Sequence, residues 1–102
     1  MALYNTAIPA TTNTPLASGA GDRAITTVIV CNTGVSDRTL SLYAVASGNS
    51  AGSSTMIVNT LTIPAGETVS FDQEKLVLTT GDSLVAYASD TGLTATVSIL
   101  AV

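Results

Sequence analysis

IPAGETVSFDQEKLVLTTGDSLVAYAS, residues 63–89, decides how the chain folds. Three short runs, TVSF (68–71), KLVL (75–78) and SLVAYAS (83–89), are held apart by PAGE, DQE and TTGD. Gly, Pro, Asp and Thr at such short intervals leave no room for a helix of ordinary length, whereas strands of four to eight residues fit between them. In PAGE, Gly66 at the third position of a turn begun by Pro64 and Ala65 suits a type II turn, which needs positive φ there. In TTGD and in DTGL (90–93), an Asp next to a Gly or one residue removed from it suits a tight reversal, the carboxylate bonding nearby backbone N–H groups.

The pattern repeats outward in both directions. AITTVIVC (24–31) is followed by NTGVSD, RTLSLYAVA (38–46) by SGNSAGSS, and TMIVNTLTI (55–63) by the PAGE turn, while LTATVSILAV (93–102) closes the chain. Many short strands with turn residues between them mark an all-β sandwich or barrel. In the last run Leu93, Ala95, Val97, Ile99 and Ala101 share one face, and Thr94, Thr96 and Ser98 share the other. In RTLSLYAVA the same alternation puts Leu40, Leu42, Ala44 and Ala46 on one face, opposite Thr39, Ser41, Tyr43 and Val45. The expected fold is a single antiparallel β-sandwich of about seven to eight short strands over 24–102, jelly-roll or immunoglobulin-like. Residues 1–23, with Pro9, Pro15 and a Gly-Ala-Gly tract, read as an extended N-terminal arm with a short strand near Leu3–Ile8.

Composition explains what such a sandwich shows to its surroundings. Of 102 residues only 10% are charged, against about a quarter in ordinary soluble domains, while Ser and Thr number 28, Thr alone 17. The surface is therefore hydroxylic, and the Thr content favours strands because branching at Cβ fits a pleated sheet. A net charge of −4 with Arg23, Arg38 and Lys75 as the only basic residues lacks the footprint of nucleic-acid binding. No apolar run reaches the 18 or so residues of a membrane-spanning helix, and the MALYNTAIPATT start has no basic-then-apolar signal, so cytosolic synthesis without processing is expected. Cys31, the single cysteine, cannot form an internal disulfide and reads as a small buried hydrophobe.

The side chains on which enzymes depend are scarce. Histidine is absent, removing the commonest general base and transition-metal ligand. The closest carboxylates, Asp72 and Glu74, come without the aromatic platforms of a glycosidase, since there is no Trp and the one Phe, Phe71, is assigned to the core. Lys75 beside Glu74 reads as a solvated strand-edge charge. Gly19-Ala20-Gly21 lacks the remaining residues of a dinucleotide or phosphate loop. No catalytic residue, cofactor or metal is expected. Tyr4, Tyr43 and Tyr87 mark candidate contact surfaces, because Tyr is enriched at interfaces, with partial burial at the edge of the core as the alternative for Tyr43 and Tyr87.

VIVCNTGVSDRTLSLY (28–43), IPAGETVSF (63–71) and LVLTTGDSLVAYAS (76–89) together resemble the small virion proteins of tailed bacteriophages, over most of residues 24–102. The resemblance implies a structural role on the outer surface of the particle, after synthesis in the host cytoplasm, and no catalytic residue. The leading expectation is a capsid decoration or cement protein, a trimer or another cyclic oligomer, held by its arm and one sandwich face to the major capsid protein, without nucleic acid or membrane. The alternatives are a neck, collar or tail-fibre module of the same virion, or a glycan-binding host-attachment sandwich. The arm supplies the expected partner contacts, Leu3, Tyr4, Ile8, Pro9, Pro15 and Leu16, by adding a strand to a neighbour's sheet.

Overall fold

A computed structural model describes residues 2–18, 23–71 and 76–101. Its strands are β1 (Ala2–Ile8), β2 (Thr14–Ser18), β3 (Arg23–Asn32), β4 (Arg38–Val45), β5 (Met56–Ile63), β6 (Thr68–Phe71), β7 (Leu76–Leu78), β8 (Ser83–Ala88) and β9 (Leu93–Ala101). From β3 onward, strand positions follow the sequence pattern to within one residue at each end, because the same Gly, Asp and Pro residues that break the runs make the turns. The turns form as their residues dictate. Gly66 has φ +79° and the Glu67 N–H donates to the Pro64 carbonyl at 3.0 Å, closing the type II turn.

The strands form two antiparallel sheets. Sheet A has the order β1-β9-β3-β6, with β7 also paired to β3; sheet B has the order β2-β8-β4-β5. Phe71 pairs with Val28 and Leu76 with Ile25, so β6 and β7 lie end to end along β3 as two halves of one edge strand. Counted that way there are eight strand positions. Except at the β4–β5 hairpin, each connection crosses from one sheet to the other, the two-sheet winding of a jelly roll. This settles the choice between jelly-roll and immunoglobulin-like topology that periodicity left open.

The core lies between the sheets. Leu93, Ala95, Val97 and Ile99 of β9 face it, beside Ile25, Val28 and Val30 of β3, and across from them lie Leu40 and Leu42 of β4 and Leu84, Ala86 and Ala88 of β8. From Leu93 to Ile99 the alternation expected for β9 is therefore the one observed. In β4 the expected alternation is not kept, for Ser41 and Val45 are buried as well as Leu40 and Leu42, while Ala44 is half-buried and Ala46 exposed. The register slips between Leu40 and Leu42 and again between Leu42 and Tyr43. The Ser41 hydroxyl is occupied there, accepting the Thr60 N–H at 3.1 Å.

The expected arm is corrected by the structure. Residues 2–8 pair in unbroken register with β9, from Ala2 opposite Ile99 to Ile8 opposite Leu93, and residues 14–18 pair with β8. Both are edge strands of the sandwich. Pro9 sits in the connection between them and Pro15 in the edge strand β2, so neither interrupts a ladder that needs its missing N–H. Pro9 follows the end of β1 and Pro15 is held within β2, so neither releases an arm.

Candidate interaction surfaces

The six expected contact residues separate by burial. Ile8 (2% exposed) and Leu16 (4%) belong to the core, whereas Leu3 (67%), Tyr4, Pro9 and Pro15 are exposed. Ile8 is in phase with the inward row of β1. Leu16 is turned inward at the irregularity between Pro15 and Ala17, where two successive residues are both buried. Ile8 and Leu16 are thus withdrawn as contacts, since a side chain held between the sheets cannot meet a partner. The Tyr4 hydroxyl accepts a hydrogen bond from the Arg23 guanidinium at 2.8 Å.

Register also builds the outer face of sheet A. Ala7, Thr94, Cys31 and Thr68 form one cross-strand row, and Asn5, Thr96, Ile29 and Ser70 the next. Leu3, Ser98 and Thr27 continue the same face. Among the described residues this face carries no charged side chain. It is a hydroxyl lattice, knit by a 2.9 Å bond from the Thr96 hydroxyl to Asn5 Oδ1, with Leu3, Ile29 and Leu100 exposed on it. Cys31 is half-buried on this face rather than in the core, because the inward positions of β3 are Val28, Val30 and Asn32. Phe71 packs against the core as a partly buried residue.

Asn32 ties together one end of the sandwich. It is fully buried; its Nδ2 donates to the carbonyls of Ser36 (2.9 Å) and Ile63 (2.8 Å), and its Oδ1 accepts the Gly34 N–H (3.0 Å). Its backbone bonds the PAGE turn, through the Glu67 carbonyl and the Gly66 N–H. Thr33 reaches the third loop, its N–H and hydroxyl both donating to the Gly92 carbonyl at 2.7 and 2.9 Å. Arg38 completes the junction with a 2.7 Å bond from Nε to the Thr91 carbonyl and a 3.9 Å ion pair to the exposed Asp90. Gly92, at φ +114°, passes so close to Gly34 that an added Cβ would stand 3.4 Å from its backbone. The motifs CNTG, PAGE and DTG, far apart in sequence, are one structural unit. Sequence reading passed over Asn32, although its parity with Val28 and Val30 already places it on the buried face.

At the opposite end Asp82 organises the β7–β8 turn. Its carboxylate accepts the Thr79 N–H and hydroxyl, both at 3.0 Å, and the Ser47 N–H at 2.9 Å. These donors, the Thr79 and Ser47 backbone groups first, hold its carboxyl below the usual carboxylate range. The acid is a turn former, as its place beside Gly81 suggested.

Between the open edges of the sheets lies an apolar cavity of about 400 Å³, lined by Ile25, Val28, Leu42, Ile57, Val58, Phe71 and Leu84. No polar side chain is among its lining residues. Among the described residues no three His, Cys, Asp or Glu side chains gather as metal ligands. Asp72, Glu74 and Lys75, and the Gly-Ala-Gly tract, lie outside the described residues. What the geometry offers is surface: the uncharged outer face of sheet A and the strand edges beside it. Comparison with protein-family models, with curated proteins and with solved structures finds no match.

Proposed function

We propose that this chain is a structural protein of a tailed-phage virion, a capsid decoration protein that lays the outer face of sheet A against the major capsid protein. The observation that carries the reading is that face: uncharged, rich in hydroxyls and studded with Leu3, Ile29 and Leu100. Such a surface loses little on desolvation compared with a charged one, and its exposed aliphatic groups gain from being covered. The jelly-roll winding is one that viral capsid and lectin domains use, and the likeness of residues 28–43, 63–71 and 76–89 to phage virion proteins points the same way. Fold by itself would not assign the role. Of the arm and the sandwich face expected to share the contact, the face carries it, because Ile8 and Leu16 are spent on the core.

Quantitative mass spectrometry of purified particles from the source virus tests the proposal. Near-stoichiometric abundance with the major capsid protein is expected, together with loss of particle binding by Ile29→Lys. A few copies per particle would move the chain to the neck, collar or tail, and absence from particles would remove the virion reading and bring the glycan-binding alternative forward.

A further inference from the structure

The four sheet edges are treated differently. Exposed edges invite pairing with another chain, and proteins blunt them with prolines, bulges, charges or short strands. The β2 edge carries Pro15 and an irregularity after it, in a strand of only five residues. At β5 the register slips twice, and Thr60 sits in the left-handed region at φ +53°, a conformation unusual for a β-branched residue. The β6/β7 edge is divided into pieces of four and three residues. β1 has none of these defences. Its seven residues, ALYNTAI, contain no proline and no charge, follow β9 without a slip, and have no strand on their other side among the described residues.

From this contrast we infer that β1 is the edge through which two copies of the chain pair, antiparallel and about a two-fold axis, joining their A sheets into one continuous sheet. The strand suits its own reversed copy. In the register that pairs all seven residues, Asn5 faces Asn5 of the second copy, Leu3 faces Ala7, and Tyr4 faces Thr6. Directly opposed residues of an antiparallel pair point to the same side, so outward meets outward and inward meets inward. No like charges are opposed anywhere along it, and the amides of the two Asn5 side chains have both donors and acceptors to exchange. The acidic excess of the chain does not oppose the contact, because none of its carboxylates is on β1. A two-fold pairing also closes on itself, leaving no open strand on which a third copy could add by the same edge. The inference rests on the edge geometry and is independent of the virion reading.

Sedimentation velocity on the full chain, over a concentration series, tests it. The wild type is expected at twice the 10.2 kDa chain mass. Asn5→Lys, which sets two ammonium groups face to face at the axis, is expected to be monomeric with unchanged far-UV circular dichroism, and so is Asn5→Glu. An equimolar mixture of the two is expected to regain the dimer, because the opposed pair is then Lys against Glu. Leu3→Lys, at a side chain 67% exposed, serves as a second edge variant should Asn5 substitutions disturb folding. A wild type that stays at 10.2 kDa up to its solubility limit overturns the inference, as does a dimer that survives Asn5→Lys or a mixture that remains monomeric.

Discussion

Asn32 stands where an alternating strand would be expected to carry an aliphatic side chain, and it is kept there by three hydrogen bonds rather than by packing. Removing it as Asn32→Ala would break the part-buried bonds to the Ser36 carbonyl and the Gly34 N–H and the buried one to the Ile63 carbonyl, and a buried unpaired group is costly. A loss of about 3 kcal/mol is expected in urea unfolding, a large part of a small domain's stability. Asp82 offers a test by pH. Its folded-state carboxyl titrates below the ordinary value of 3.8, so the folded form binds fewer protons than the unfolded chain as that value is approached. The stability this contributes is present above the unfolded value and lost as pH falls through the folded one. Thermal unfolding of Asp82→Asn should therefore lie below wild type at neutral pH, with the difference closing as the pH is lowered below 3.8.

At the scale of elements, the first eighteen residues carry the largest revision. Read as an arm, residues 2–18 would be dispensable for folding; as β1 and β2 they cap both sheets and supply Ile8, Leu16 and Ala17 to the core. Deleting them should abolish the cooperative unfolding transition. A point comparison separates core from edge on the same strand: Ile8→Ala is expected to cost about 2–5 kcal/mol, as for other buried aliphatic truncations. Leu3→Ala, at an exposed position five residues earlier, should stay within about 0.5 kcal/mol of wild type. Equal losses at the two positions in denaturant titrations would contradict the placement of β1. The later strands were legible because Gly66, Gly81 and Gly92 mark their turns, each at positive φ. β1 was legible only as a short strand near Leu3–Ile8 set in an arm, and β2 not at all, since Pro9 and Pro15 signal a break in regular structure without saying whether the chain beside them is paired.

Across the whole molecule, the sequence by itself determined the class of the fold, the positions of the strands from β3 onward, the faces of β9 and the scarcity of reactive groups. Those features are local: turn residues act on their neighbours through φ and short-range hydrogen bonds, and side-chain alternation has a period of two whatever the partner strand. The tertiary structure alone decided the rest. Pairing order set the jelly-roll winding, the bulge at Leu16 made a core residue of an expected contact, and the convergence of CNTG, PAGE and DTG around Asn32 joined loops from residues 32 to 92. Which strand lies beside which depends on the summed burial of two sheets and on backbone pairing between distant segments. That is a property of the assembled sandwich, and no window of its sequence contains it.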